Sequence, residues 1–279
     1  MAAPLQAEKI FNIGPIPVTN SFITATIVTI IIVIVALMYN KKANLIPTKF
    51  TGLIESFVEF LHTTIESIAG KKTHVFFPLG ATFFIFIIIN SYFGLLPIVG
   101  PIGVHQIVDG KDELVPILRS INADINGTIV LALVSVVMTH FFAIRSVGVF
   151  AHIARYLPFL NIRLRHINTP KKFATKLAWS FIDLFVGLLE LISEFVKIIS
   201  LSFRLFGNIF AGEIVLSTIS SLLLFSAFIL PIPFIALEII VGYVQATVFT
   251  LLTVVFMTIL SERHGAEEEH EESEVISEV

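Results

Sequence analysis

Apolar residues in this 279-residue chain fall in long uninterrupted runs rather than in the short alternations of a soluble core. Five stretches stand out: 20–39, 75–99, 128–144, a fourth from about 177 to 230, and 232–260. A helix needs about 20 apolar residues to cross hydrocarbon, so each run is long enough to span. The segment 49–70 has a different pattern. Leu53, Ile54, Phe57, Phe60, Leu61, Ile65 and Ile68 recur at helical spacing, while Glu55, Glu59, His62 and Glu66 fill the other side. That spacing predicts an amphipathic helix lying at the membrane surface; a small soluble hairpin is the competing reading. The expected class is an all-α polytopic membrane protein, with about five membrane stretches and one interfacial helix, in a single membrane domain over 1–279.

The fourth run is too long for an upright span. Some fifty residues at 1.5 Å each give about 75 Å, against about 30 Å of hydrocarbon. Either it is one strongly tilted helix, or it breaks near Gly207 or Gly212. Pro231 and Pro233 mark the turn into the last run.

Composition sharpens this picture. Hydrophobic residues make up 56% and charged residues 14%, where soluble domains run at about 45–50% and about 25%. With no cysteine there is no disulfide framework and no thiolate metal site. Residues 1–20 lack a basic region leading into an apolar core, and no small-residue cleavage site follows 21–39. The first run is therefore expected to stay in place as a span. Lys41, Lys42, Lys49, Lys71 and Lys72 flank the loop after the first span, and only Lys111 and Arg119 lie after the second. Arg145, Arg155, Arg163, Arg165, Lys171, Lys172 and Lys176 lie after the third. The positive-inside rule makes the first and third loops cytoplasmic. Residues 1–19 are then outside, 20–176 hold spans one to three, and the acidic, disordered tail 262–279 is cytoplasmic.

Charges inside the apolar runs carry the chemistry, because a mid-bilayer charge costs about 2.5 kcal/mol or more. The first three spans hold almost none. The last two hold Asp183, Glu190, Glu194, Lys197, Arg204, Glu213 and Glu238. Asp183, Glu190, Lys197 and Arg204 are seven apart and share a helical face, which Glu194 and Asn208 join at four-residue steps. Glu213 points to the opposite side; Glu238 and Gln245 share a face of the last stretch. An acid on the back of one helix can therefore meet an acid on the next. Asp183 also reads as an interfacial residue, and Glu190, Glu194 and Lys197 as a structural ion-pair cluster. His140, toward the cytoplasmic end of span three, reads as a packed or interfacial histidine rather than a relay. Arg204 has no acid within a turn along its helix, so it needs a carboxylate from another chain. Ser200, Ser202, Gly207, Ala211 and Gly212 around it would let a partner helix approach closely.

Residues 200–213, SLSFRLFGNIFAGE, resemble the signature of subunit a of F-type ATP synthases. Residues 245–253, QATVFTLLT, resemble that family's second block, and 90–97, NSYFGLLP, the motif ending its second span. The resemblance runs from the first span to Glu262. It implies that Arg204 is the arginine facing a rotating ring of c subunits, with Asn208 and Gln245 as polar neighbours. It makes Glu213 the acid of an outer half-channel and Glu190 that of a cytoplasmic one, and it folds 177–261 into a long tilted hairpin. Glu238, where some members carry histidine, departs from the pattern and leaves the relay details of the outer path open; Gly94 replaces an aspartate of some members. The implied partners are the c-ring, the b subunits of the peripheral stalk, the rest of the F0F1 complex and membrane lipid in a bacterial plasma membrane. No cofactor, metal or nucleic acid is implied, and ATP chemistry would belong to other subunits. A secondary transporter, favoured by broken midplane helices, and a structural scaffold are the alternatives. No phosphate-binding loop, metal cluster or nucleophile–base pair supports an enzyme.

Overall fold

The computed structural model describes residues 7–42, 49–96, 103–108, 111–156, 173–222 and 231–261. Among the described residues, four segments are long and apolar enough to cross a membrane: Asn20–Lys41, Thr51–Gly94, Ile125–Val147 and Pro231–Ser261. The chain packs as two compact units, Met1–Ala132 with Ile199–Val254, and Leu133–Ile198 with Val255–Val279.

Two antiparallel hairpins add to the expected all-α pattern. Strands β1 (Lys9–Ile13) and β2 (Ile16–Thr19) turn at Gly14, whose φ of 62° suits a residue without a Cβ. Strands β3 (Gly103–Val108) and β4 (Lys111–Pro116) lie between the second and third expected spans. Both hairpins belong to stretches too short for a search for hydrocarbon-length runs to find.

Helix α1 (Asn20–Lys42) opens the first unit. Helix α2 (Lys49–Ala69) follows the predicted bounds, but it is one arm of a hairpin with α3 (Thr73–Gly94) rather than a lone element. Gly70, with φ of 52°, begins the turn. The Phe57 and Phe84 rings meet at 5.8 Å, and Leu61 and Ile65 are buried, with Ile65 against Gly80. Leu53 and Phe60 of the expected apolar face are exposed in the chain itself, as a face turned to lipid would be. In a chain surrounded by lipid, an apolar face needs no protein cover.

Helix α4 (Ile125–Val147) and the short α5 (Val149–Tyr156) come next. The long fourth run is one unbroken helix, α6 (Phe173–Leu222), of 50 residues. The break considered near Gly207 or Gly212 is absent: neither residue interrupts the helix. Its charges keep α6 out of the set of plain apolar spans. The last helix, α7 (Pro231–Ser261), runs antiparallel to α3: Phe83 meets Phe249, and Phe84 meets Tyr243. Gly242 lets the two close up, since a Cβ there would sit 3.2 Å from Ser91 Cβ.

A buried polar knot fixes the chain between β4 and α4. Asn122 Nδ2 donates to Ile87 O and Ser91 Oγ, both at 2.9 Å, and Ser120 Oγ donates to Asn90 O at 3.0 Å. Ser21 Oγ donates to Asp124 at 2.7 Å, and Thr24 Oγ1 accepts from the Arg119 amide at 3.0 Å. Buried hydrogen bonds of this kind hold a loop in one arrangement, although Asn90 Oδ1 and Asn122 Oδ1 accept from no described residue. Gly94 belongs to the same contact. A Cβ there would come 2.9 Å from Ser120 Cβ, so a larger residue would push the loop aside.

Candidate functional site

Helix α6 separates its two faces sharply around Arg204. Leu201, Ser202, Leu205, Phe206 and Ile209 are buried, while Phe203, Arg204, Gly207, Asn208 and Ala211 are exposed. Among the described residues Arg204 makes no hydrogen bond or ion pair. The smooth surface beside it is narrower than expected. Ser200, Gly207 and Ala211 face outward, but Ser202 turns inward to share a hydrogen bond with Thr128 (3.0 Å). Gly212 turns inward too, against Glu238: a Cβ there would run into the Glu238 carboxyl.

At the border between the two faces, the exposed Asn208 reaches inward: its Nδ2 donates to Gln245 Oε1 at 2.8 Å, joining two of the expected site residues. Further along, Glu213 and Glu238 line one cavity of about 110 Å³, as the opposite-face placement of Glu213 requires. Ser91, Ser120 and Arg119 line it as well. Glu238 is buried, and its Oε1 makes no hydrogen bond to any described residue. A buried carboxyl oxygen left in this way is a place for water or a transferred proton.

Arg119 is the residue that sequence reasoning missed. It is only 3% exposed, and its Nε and Nη2 both reach Glu213 Oε2 at 3.3 Å. Its guanidinium also lies 5.8 Å from the centre of the Phe210 ring. In the sequence it is a lone basic residue in a loop, and no local period links it to Glu213, 94 residues later.

The second unit holds a separate polar cluster. Glu194 is buried and accepts from Lys197 Nζ at 2.7 Å, and Lys197 lies over the Phe256 ring at 4.7 Å. The stripe therefore divides. Ten residues at about 100° each leave Glu194 about 80° from Arg204, enough to aim it at α4. His140 of α4 lies 3.5 Å from Glu194 Oε2 and 3.2 Å from His152 of α5, with Tyr156 alongside. Glu190 is half-buried in this unit. The side chain of Asp183 lies outside the described residues, as do residues 157–172 and the acidic tail 262–279.

A multi-pass membrane protein with a charged helical hairpin and an outward-facing arginine is thereby defined. The ATP synthase A chain family matches residues 21–258, and this chain belongs to that family, the proton-translocating subunit of F0. It is 30% identical to ATP synthase subunit a of Moorella thermoacetica over 251 residues, covering 89% of this chain and 94% of that protein. It is 27% identical to ATP synthase subunit a 2 of a Bradyrhizobium species over 256 residues, covering 92% and 95%. Membership associates the chain with the rest of the F0F1 complex and disfavours the secondary-transporter reading.

Proposed function

We propose that this chain is a non-catalytic subunit that supplies two proton half-channels against a ring of c subunits, with Arg204 as the fixed charge between them. The supporting observation is Arg204 itself: an arginine on an apolar helix, exposed, and without an ion pair among the described residues. Such a charge in lipid is costly. A passing ring carboxylate would relieve the cost, and the same attraction would let that carboxyl ionise.

The outer path runs through the cavity shared by Glu213 and Glu238, with Asn208 and Gln245 toward Arg204. Glu190 serves the cytoplasmic path, with Asp183, Glu194, Lys197 and His140 as accessory groups. Arg204 keeps the two paths apart, so a proton crosses only by riding the ring. The basic loops support an N-terminus outside and a tail inside a bacterial plasma membrane, with α2 at the cytoplasmic surface and the b subunits flanking the chain. The membrane potential contributes about 2.3 kcal/mol per charge per 100 mV.

Passive proton flow through F0 in membranes stripped of F1 tests the outer path. Glu213→Gln removes a titratable group from the cavity and is expected to slow that flow about tenfold or more. Wild-type flow with an unchanged pH–rate profile would count against a relay role for Glu213.

A further inference from the structure

We propose that His140 and His152 form a proton relay with Glu194, connecting the cytoplasmic half-channel to the α4–α5 turn. This rests on the half-channel reading above and extends it to two residues outside the charged hairpin. Three observations carry it. His140 Nδ1 and His152 Nε2 are 3.2 Å apart, a distance that one bridging hydrogen spans. One ring must donate and the other accept, so the pair holds one shared proton position. The second nitrogen of His140, Nε2, faces Glu194 Oε2 at 3.5 Å, and that buried oxygen makes no hydrogen bond to any described residue. Glu194 and His152 at the two ends are each only 8% exposed, and His140 between them is part-buried, its side chain 27% exposed.

Among the described residues, the groups facing the two imidazoles come from α6 and α5. From α6 come Glu194 and Lys197, with Lys197 Nζ on the other carboxylate oxygen at 2.7 Å. Tyr156 of α5 packs edge-on against both rings, and its hydroxyl reaches Glu194 Oε1 at 3.5 Å. The lysine holds one oxygen of Glu194 and leaves the other toward His140. Gly148, with φ of 96°, makes the turn that brings α5 back onto α4.

The transfer balances without any added reagent. As a proton is delivered to His152 Nδ1 by the group that serves it, the proton on His152 Nε2 passes to His140 Nδ1. His140 then gives the proton on its Nε2 to Glu194 Oε2, which leaves both rings neutral. Reversal carries a proton out during synthesis. Imidazole suits this task because its two nitrogens take and give protons near neutral pH.

The test measures ATP-driven proton pumping by the intact complex in inverted membrane vesicles, per subunit a retained in the complex. The His140→Gln/His152→Gln variant is expected to pump about tenfold more slowly or worse. In His152→Ala, added imidazole is expected to restore pumping, a rescue that a packing role would not give. Normal pumping per retained subunit would overturn the relay, and so would a slow His152→Ala complex that imidazole leaves unchanged. If Arg204→Ala still pumped, the half-channel reading itself would fall. If Arg204→Ala is inactive while the histidine variants pump normally, only the relay falls.

Discussion

Arg204→Ala is expected to abolish ATP-driven proton pumping while leaving the subunit in the complex. The magnitude follows from electrostatics. A carboxylate about 4 Å from a guanidinium gains about 4 kcal/mol at an effective dielectric near 20. Moving a charge to the bilayer centre costs about 2.5–3.5 kcal/mol on insertion scales. The attraction therefore just offsets the penalty, and the ring carboxyl can ionise beside Arg204 and nowhere else in lipid. Losing about 4 kcal/mol slows that step roughly a thousandfold. Assembly should survive, because Arg204 is exposed and bonds to no described residue of its own chain. Coupled pumping at wild-type rate in this variant would refute the assignment. Loss of the subunit from the membrane would turn Arg204 into a structural residue.

The second large effect is expected at Arg119. Arg119→Leu leaves Glu213 without its cation, facing Glu238 across a cavity of about 110 Å³. Removing one partner of a buried ion pair costs up to about 3–5 kcal/mol. The Glu213 side chain is 35% exposed, so the lower end of that range applies. The double variant Arg119→Leu/Glu213→Gln removes both charges and should regain stability, with a coupling of about 1–3 kcal/mol. Thermal retention of the subunit in detergent-solubilised complex reads this out. Strict additivity of the two single effects would show that the 3.3 Å contact carries no energy.

The helices were legible because hydrocarbon length imposes apolar runs that nothing in a soluble loop imitates. Helices α1, α3, α4 and α7 begin within a few residues of the expected starts. The nine-residue step from Arg204, half a turn in helical phase, placed Glu213 opposite Arg204 and toward Glu238. The faces drifted where spacing was counted in steps of four. Glu194 was grouped with Arg204, yet ten residues carry it about 80° around the helix, to His140. Ser202 and Gly212 were counted among the small residues open to a partner, yet they face inward, where Thr128 and Glu238 meet them. Arg119 and His152 were not legible as site residues. Each meets its partner across the fold rather than along one helix, and such pairings leave no period in the sequence. The polar knot of Asn122, Ser120 and Asp124, which holds Arg119 in place, is silent for the same reason.

The chain contains no cysteine, so single introduced thiols report contacts cleanly. Gly207→Cys puts a thiol on the exposed face of α6 one turn from Arg204, where no described atom lies within 4 Å of the new Cβ. Ile209→Cys puts one on the buried face. Oxidation in the intact complex, with a second cysteine one turn from the ring carboxylate, is expected to cross-link c to position 207 and not to position 209. Cross-linking through 209, or none through 207 or its exposed neighbours, would mean that Arg204 faces something other than the ring.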